Sequence, residues 1–71
     1  MFGKRLREAR IGRRLTQPQL AEAIGVALRT YQQYEQGIRN PSFDSLVILA
    51  DTLGVSTDWL LGRTDEAPFG A

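Results

Sequence analysis

Two residue types are missing from this chain of 71 residues, and each absence excludes a kind of chemistry. Without cysteine there is neither a disulfide nor a thiolate site, which fits a reducing, cytoplasmic compartment. Without histidine the chain lacks the commonest general base and the commonest metal ligand. The sequence also contains no nucleophile-and-base arrangement, glycine-rich phosphate loop or metal-ligand spacing. It therefore predicts a protein that is not an enzyme and that holds no cofactor or metal.

Long apolar runs are absent too. No stretch approaches the roughly 20 apolar residues of a membrane span. Residues 1–10 are basic and lack the apolar centre of a signal peptide. We therefore expect no membrane partner. The length fits one domain of modest stability, because so short a chain buries only about 60% of its unfolded surface.

Charge is distributed unevenly, although the net charge is only +1. Residues 1–39 contain eight basic and three acidic side chains, a net charge of +5. Residues 40–71 contain one basic and five acidic side chains, a net charge of −4. A chain with this asymmetry can direct a basic half towards phosphates while its acidic half faces away.

Residues 16–37 form the most informative stretch, TQPQLAEAIGVALRTYQQYEQG. Thr16 and Gln19 have the spacing of a capping box, so a helix is predicted over residues 16–24. Gly25 suits the left-handed position that ends a helix. A second helix follows over residues 27–36 and ends at Gly37. Two short helices joined by a tight turn are typical of a helix-turn-helix.

The second of these helices has two different faces when its residues are placed at about 100° steps. The face predicted to pack contains Ala27, Thr30, Tyr31 and Tyr34. The outer face contains Leu28, Arg29, Gln32, Gln33 and Gln36. Arginine and glutamine can make paired hydrogen bonds to base edges, arginine to guanine and glutamine to adenine. The pattern therefore predicts a recognition helix that enters the major groove of DNA.

Three further helices are expected from apolar spacing and caps. The first covers residues 2–13 and packs through Phe2, Leu6 and Ala9. The fourth, capped by Ser42, has one predicted core stripe, formed by Phe43, Leu46, Leu49, Ala50 and Leu53. A short fifth helix covers residues 57–61 after the cap Ser56. Its Trp59 is expected in the core rather than in a ligand site.

Taken together, these motifs resemble the Cro/C1-type helix-turn-helix repressors, also called the XRE family. The resemblance depends on Leu15-Thr16-Gln17, Leu20-Ala21, Gly25-Val26, Tyr34-Glu35, Gly37, Pro41-Ser42, Leu49-Ala50, Leu53, Val55-Ser56 and Asp58-Trp59-Leu60-Leu61-Gly62. It implies an all-α, compact five-helix bundle of the lambda-repressor-like type, with helices two and three as the helix-turn-helix. We expect residues 1–62 to form this domain and residues 63–71 a short, flexible tail.

The resemblance also implies roles for single residues. The implied base readers are Leu28, Arg29, Gln32 and Gln33, although Leu28 could instead pack on helix two. The implied phosphate contacts are Gln17, Gln36, Arg39 and Asn40. The alternative for Gln17 is an ordinary polar residue in the first helical turn, and for Arg39 a solvated loop residue. Arg10 and Glu35 are expected to form a structural ion pair between helices one and three. Ala27 departs from the family, in which Ser or Thr is usual at that position.

Two functions are compatible with this interpretation. The first is a transcriptional repressor that binds a near-palindromic operator on double-stranded DNA as a homodimer, one that is weak without DNA. Val47, Ile48, Leu61 and Phe69 of the tail are candidate dimer contacts, since one half-site gives too little interface for tight binding. The second is an antitoxin-like module that binds a partner protein, because a fold alone does not determine function.

Overall fold

Five α-helices follow one another along residues 1–66, the part of the chain that the computed structural model describes. They are α1 (Phe2–Gly12), α2 (Gln17–Ile24), α3 (Leu28–Gln36), α4 (Phe43–Leu53) and α5 (Thr57–Leu60). Helix α1 packs against α3 and α5, α2 against α3 and α4, and α4 against α5. The expected all-α, five-helix architecture is confirmed, with α2 and α3 as its helix-turn-helix. Within residues 1–66, no helix is long and apolar enough to cross a membrane.

Helix α2 has both of its predicted end signals. Thr16 Oγ1 accepts a hydrogen bond from Gln19 N at 3.2 Å, and Gln19 Oε1 accepts one from Thr16 N at 2.8 Å. This reciprocal pair is the predicted capping box. At the other end Gly25 has a φ of 74°, and Val26 N donates to Ala21 O at 3.0 Å. The left-handed glycine turns the chain sharply and so fixes where α3 begins.

The start of α3 differs from the prediction. Ala27 is the extended N-cap residue, makes no side-chain capping bond and is exposed, so α3 begins one residue later, at Leu28. Ala27 therefore does not belong to the packing face. A serine or threonine hydroxyl at this position would contribute about 1 kcal/mol of capping, which α3 lacks. The predicted caps of α4 and α5, Ser42 and Ser56, are confirmed.

The core is built from one apolar face of each helix. Its buried members are Leu6, Ala9, Leu20, Ala21, Ile24, Tyr31, Tyr34, Leu49, Ala50, Leu53, Val55, Trp59 and Leu60. Phe43, which the sequence assigns to this core, is 88% exposed, and that assignment is wrong. On a helical projection Phe43 lies about 70° from the centre of the α4 core stripe. It also stands at the first residue of the helix, so its ring projects to the side, near Pro41 and Leu61.

Helix α1 approaches α3 closely at Gly3. This glycine is buried, and a Cβ added there would lie 2.7 Å from the carbonyl oxygen of Tyr34 and closer still to that of Glu35. Both obstacles are backbone atoms, which cannot rotate away. Glycine at this position therefore sets the distance between the two helices.

Arg5 of α1 and Arg13, the residue that follows this helix, join it to the second half of the chain. The Arg5 guanidinium lies 5.0 Å from the centre of the Trp59 ring and donates to Trp59 O at 2.8 Å and Thr64 O at 2.6 Å. It also contacts the Asp65 carboxylate. Arg13 Nε donates to Leu53 O at 2.7 Å. Both arginines therefore have structural contacts.

The Gly3 contact generates a stability prediction. We expect Gly3→Ala to lower the free energy of unfolding by about 1–3 kcal/mol, because α1 must move away from the α3 carbonyls. Lys4→Ala, on the exposed side of the same turn, is the matched control and should change stability by about 0.5 kcal/mol or less. Urea unfolding followed by circular dichroism measures both, and equal midpoints for the two variants would contradict the close-approach interpretation.

Candidate nucleic-acid interface

Helix α3 presents a polar surface along one side. Arg29, Gln32, Gln33 and Gln36 line one shallow groove, together with Ile38 from the following loop. Arg29 and Gln36 are exposed, while Gln32 and Gln33 are half-buried. Four hydrogen-bonding side chains on consecutive turns of one helix can contact a row of neighbouring polar groups. We call this surface the α3 groove.

Beneath the α3 groove lies a polar cluster centred on Glu35, whose side chain is 6% exposed. Arg10 Nε donates to Glu35 Oε2 at 2.7 Å, so the structure brings the predicted ion pair together. Gln17 Nε2 donates to Glu35 Oε1 at 3.1 Å, and the Tyr31 hydroxyl also donates to this carboxylate. The four residues, which we call the Glu35 cluster, come from α1, α2 and α3. Among residues 1–66, no buried side-chain nitrogen or oxygen lacks a hydrogen-bond partner.

These contacts shift the titration of the cluster. Burial by itself would raise the pKa of the Glu35 carboxyl, but hydrogen bonds from Arg10, Tyr31 and Gln17 outweigh it and hold that pKa below its ordinary value. The hydrogen bond to Glu35 raises the pKa of Arg10, against the effect of burial. Burial, followed by the bond to Glu35, raises the pKa of Tyr31. Glu35 is therefore a charged acceptor and Tyr31 a neutral donor at neutral pH.

The helical pattern of α3 predicts only part of this cluster. It places Tyr31 on the packing face, whereas the Tyr31 hydroxyl also bonds Glu35. The signal was available, since residues four apart are neighbours on a helix. The bond from Gln32 Nε2 to Gln17 Oε1, 3.3 Å long, was also missed. It joins α2 to α3, and no spacing within one helix reveals it.

The remaining predicted contacts lie outside the α3 groove. Leu28 is 40% exposed in the first turn of α3. Arg39 is exposed in the loop after α3, and Asn40 lines a separate, more apolar groove with Phe2, Pro41, Phe43, Leu46 and Leu61. The candidate dimer residues Val47, Ile48 and Leu61 are 51%, 42% and 48% exposed. Phe69, the fourth candidate, lies outside the described residues.

Within residues 1–66, no group of three or more acidic side chains is placed to hold a metal ion. The cationic and amide side chains around α3 suit an anionic or hydrogen-bonding partner instead.

Comparison with known proteins identifies the family. A family model described as helix-turn-helix matches residues 6–60. An uncharacterised HTH-type transcriptional regulator, YobD of Bacillus subtilis, is 47% identical over 66 residues, which are 93% of this chain and 59% of the relative. The cryptic phage CTXphi transcriptional repressor RstR of Vibrio cholerae is 47% identical over 53 residues, 72% of this chain and 47% of the relative.

The fold also matches a solved structure. A chain of the complex between the SinR and SinI proteins superposes with a TM-score of 0.79 at 30% identity, covering 93% of this chain and 69% of that one. The chain belongs to the helix-turn-helix family, and the two relatives named above are a transcriptional regulator and a transcriptional repressor. The chain spans only about half to 60% of the length of the curated relatives it matches.

The depressed pKa of Glu35 predicts how acid affects stability. Because the carboxyl binds a proton less readily in the folded than in the unfolded chain, protonation favours unfolding. The contribution of Glu35 is complete above its unfolded pKa of about 4.3 and is lost as the pH falls from there through the folded pKa. Glu35→Gln, which does not titrate, should lower stability at pH 7 and flatten the decline below about pH 4.3.

Urea midpoints measured from pH 3 to 7 test this expectation, with Glu22→Gln on the exposed side of α2 as the control. The control should keep the acid-dependent decline of the unmodified chain. If Glu35→Gln instead ran parallel to the unmodified chain over the whole range, Glu35 would not be the titrating group.

Proposed function

We propose that this chain is the DNA-binding part of a transcriptional repressor that binds a near-palindromic operator as a dimer. The supporting observation is the placement of Arg29, Gln32, Gln33 and Gln36 along one groove of the second helix of a helix-turn-helix. Arginine and glutamine are the side chains suited to paired hydrogen bonds with guanine and adenine. In this proposal α3 enters the major groove, and Arg29, Gln32 and Gln33 read bases.

Phosphate contacts would surround this surface. Arg39 and Asn40 lie in the loop after α3 and are exposed. Gln17 retains one N–H of its Nε2 group after bonding Glu35, and that N–H lies in the first turn of α2, where the helix dipole favours an anion. Gln36, at the end of the α3 groove, can serve a base or a phosphate. Leu28, with no polar atom, would contribute at most an apolar contact to a thymine methyl.

A second copy of the chain would supply the second half-site. A single small module buries only about 600–1,000 Å² on DNA, which is less than tight specific binding needs. Phe43 and Leu61 line one apolar groove, and Val47 lies one turn after Phe43 on the same side of α4. We call Phe43, Val47 and Leu61 the apolar strip. We propose that the dimer contact uses this strip and forms mainly on DNA. Ile48 lies about 100° further around α4 from Val47, so it faces a different direction.

A protein partner is the second candidate. It is favoured by the likeness to SinR, which was solved in a complex with another protein, SinI. In that case the partner would cover part of the surface before, or instead of, DNA. This second candidate becomes the preferred one only if the protein fails to select DNA.

The first experiment is selection of DNA from a random pool near 150 mM salt, a concentration chosen because phosphate contacts weaken steeply as salt rises. We expect a palindrome whose half-sites are centred about 10 base pairs apart. Enrichment without a shared sequence would indicate backbone binding alone. Absence of enrichment would favour the protein partner.

Single substitutions then separate base reading from phosphate binding. Gln33→Ala should cost about 1–3 kcal/mol on the selected site and relax the preference at one base pair. Arg39→Ala should weaken all sequences alike and reduce the salt dependence by about one phosphate contact. Thr52→Ala, exposed on α4, is the control. A uniform loss from Gln33→Ala, measured by fluorescence anisotropy, would remove this residue from the base readers.

The apolar strip is tested by Phe43→Ser and Leu61→Ser, with Ile48→Ser as the comparison. We expect the first two variants to bind a single half-site normally but the full operator more weakly and less cooperatively. They should fold, because these side chains are 88% and 48% exposed. Gel-shift titrations on half and full sites measure the effect. A loss confined to Ile48→Ser would place the dimer contact on the other side of α4.

A further inference from the structure

Gln32 differs from the other residues of the α3 groove in having a hydrogen bond to a second helix. Its Nε2 donates to Gln17 Oε1 at 3.3 Å, and Gln17 Nε2 donates to Glu35 Oε1 at 3.1 Å. A continuous chain of hydrogen bonds therefore leads from the buried carboxylate to a side chain at the protein surface. Within residues 1–66, Arg29, Gln33 and Gln36 have no side-chain hydrogen bond of this kind.

The chemistry of a carboxylate determines which group donates and which accepts in each of these hydrogen bonds. An ionised carboxylate only accepts hydrogen bonds, so Gln17 must face Glu35 with its NH₂ group. The carbonyl oxygen of Gln17 then faces Gln32, one turn earlier in α3. Because that oxygen is also only an acceptor, Gln32 must turn its NH₂ group towards it. A glutamine amide on a protein surface would otherwise adopt either of two orientations.

The fixed end of this series of hydrogen bonds is Glu35. Its carboxylate is nearly inaccessible to solvent and accepts from Arg10, Tyr31 and Gln17, which come from three helices. Because water hardly reaches this carboxylate, losing any of these donors would leave a buried charge incompletely bonded, which is costly. The orientation imposed on Gln17 is therefore maintained by the core of the domain.

We propose that Glu35 and Gln17 are positioning residues that hold the Gln32 amide in one orientation and thereby select adenine over guanine at the base pair Gln32 reads. The inference rests on the base reading by α3 proposed above. It adds two residues, neither of which touches the base, to the determinants of sequence preference.

The preference follows from counting donors and acceptors. In the major groove adenine presents one donor, N6–H, and one acceptor, N7, whereas guanine presents two acceptors, O6 and N7. With one N–H given to Gln17, Gln32 retains its Oε1 acceptor and one N–H donor. This pair matches adenine, while guanine would face the Gln32 oxygen with an acceptor. Gln17 still has its second N–H for a phosphate, so the two proposed roles are compatible.

The test compares the unmodified protein with four variants on the selected operator and on operators changed at single base pairs. Gln32→Ala identifies the base pair at which the unmodified protein prefers adenine, a preference expected to be on the order of ten-fold. Gln17→Ala should remove most of that preference at the same base pair, in addition to lowering the overall affinity. Asn40→Ala, the matched loss of a proposed phosphate contact, should lower affinity while leaving the preference intact. The double variant Gln17→Ala/Gln32→Ala should show no further loss of preference, since the two residues act through one contact.

Two results would overturn the proposal. If Gln32→Ala removed the adenine preference and Gln17→Ala left it unchanged, the positioning role would be wrong while the proposed function stood. Nuclear Overhauser effects between the side-chain amides of Gln17 and Gln32 in the free protein provide an independent readout. Their absence would overturn the orientation even if DNA binding were strong, and a failure of the unmodified protein to select DNA would count against the proposed function instead.

Discussion

A carboxylate that is almost excluded from water needs a donor on each side, and Glu35 obtains its donors from three helices. Arg10 reaches it from α1, Gln17 from the first turn of α2, and Tyr31 from one turn earlier in α3. Losing one partner of such a buried pair typically costs about 3–5 kcal/mol, because the other charge remains buried without compensation. In a domain this small that is a large share of the total stability. The orientation of α3 relative to α1 and α2 is therefore fixed by the hydrogen bonds to the Glu35 carboxylate as well as by packing.

This constraint compensates for a weak helix start. Ala27 supplies no side-chain cap to α3, a deficit of about 1 kcal/mol relative to serine or threonine. Tyr31 and Tyr34 bury aromatic rings whose centres lie 6.4 Å apart in an edge-to-face arrangement. Burying one aromatic side chain of about 150–250 Å² contributes roughly 4–6 kcal/mol as an upper limit, at about 25 cal/mol per Å². Tertiary contacts thus outweigh the missing cap several-fold, and the helix start can remain open towards a partner.

Most of the fold could be predicted because its signals are local. Thr16 with Gln19, Gly25, Ser42 and Ser56 act within a few residues, and each has the predicted role in the structure. The helical period places Phe43 in the core stripe of α4, and this assignment is wrong. Phe43 lies at the edge of that stripe and at the first residue of its helix, where its side chain stays exposed. The position of Gly3 against the α3 carbonyls depends on how two helices approach one another, which no pattern within α1 reveals.

The candidate site could be predicted from the sequence only in part. Which side chains share the outer face of α3 follows from helical geometry, and the α3 groove contains Arg29, Gln32, Gln33 and Gln36 together. How those side chains are held does not follow, since the bond between Gln17 and Gln32 crosses two helices separated by a turn. The sequence does not show which end of each glutamine amide, the oxygen or the NH₂ group, faces its neighbour. The Glu35 carboxylate determines this orientation, because it can only accept hydrogen bonds.

The Glu35 cluster also divides the outer face of α3 into two kinds of position. Arg29 and Gln33 have no side-chain hydrogen bond to the rest of residues 1–66, so exchanging them would change what the groove recognises and leave the cluster intact. Gln32 is joined to the cluster through Gln17, so an exchange there leaves the Gln17 oxygen without its donor. In the proposed mode of base reading, sequence preference can therefore change at Arg29 and Gln33 at little structural cost, whereas at Gln32 it is coupled to the contacts that hold the three helices together.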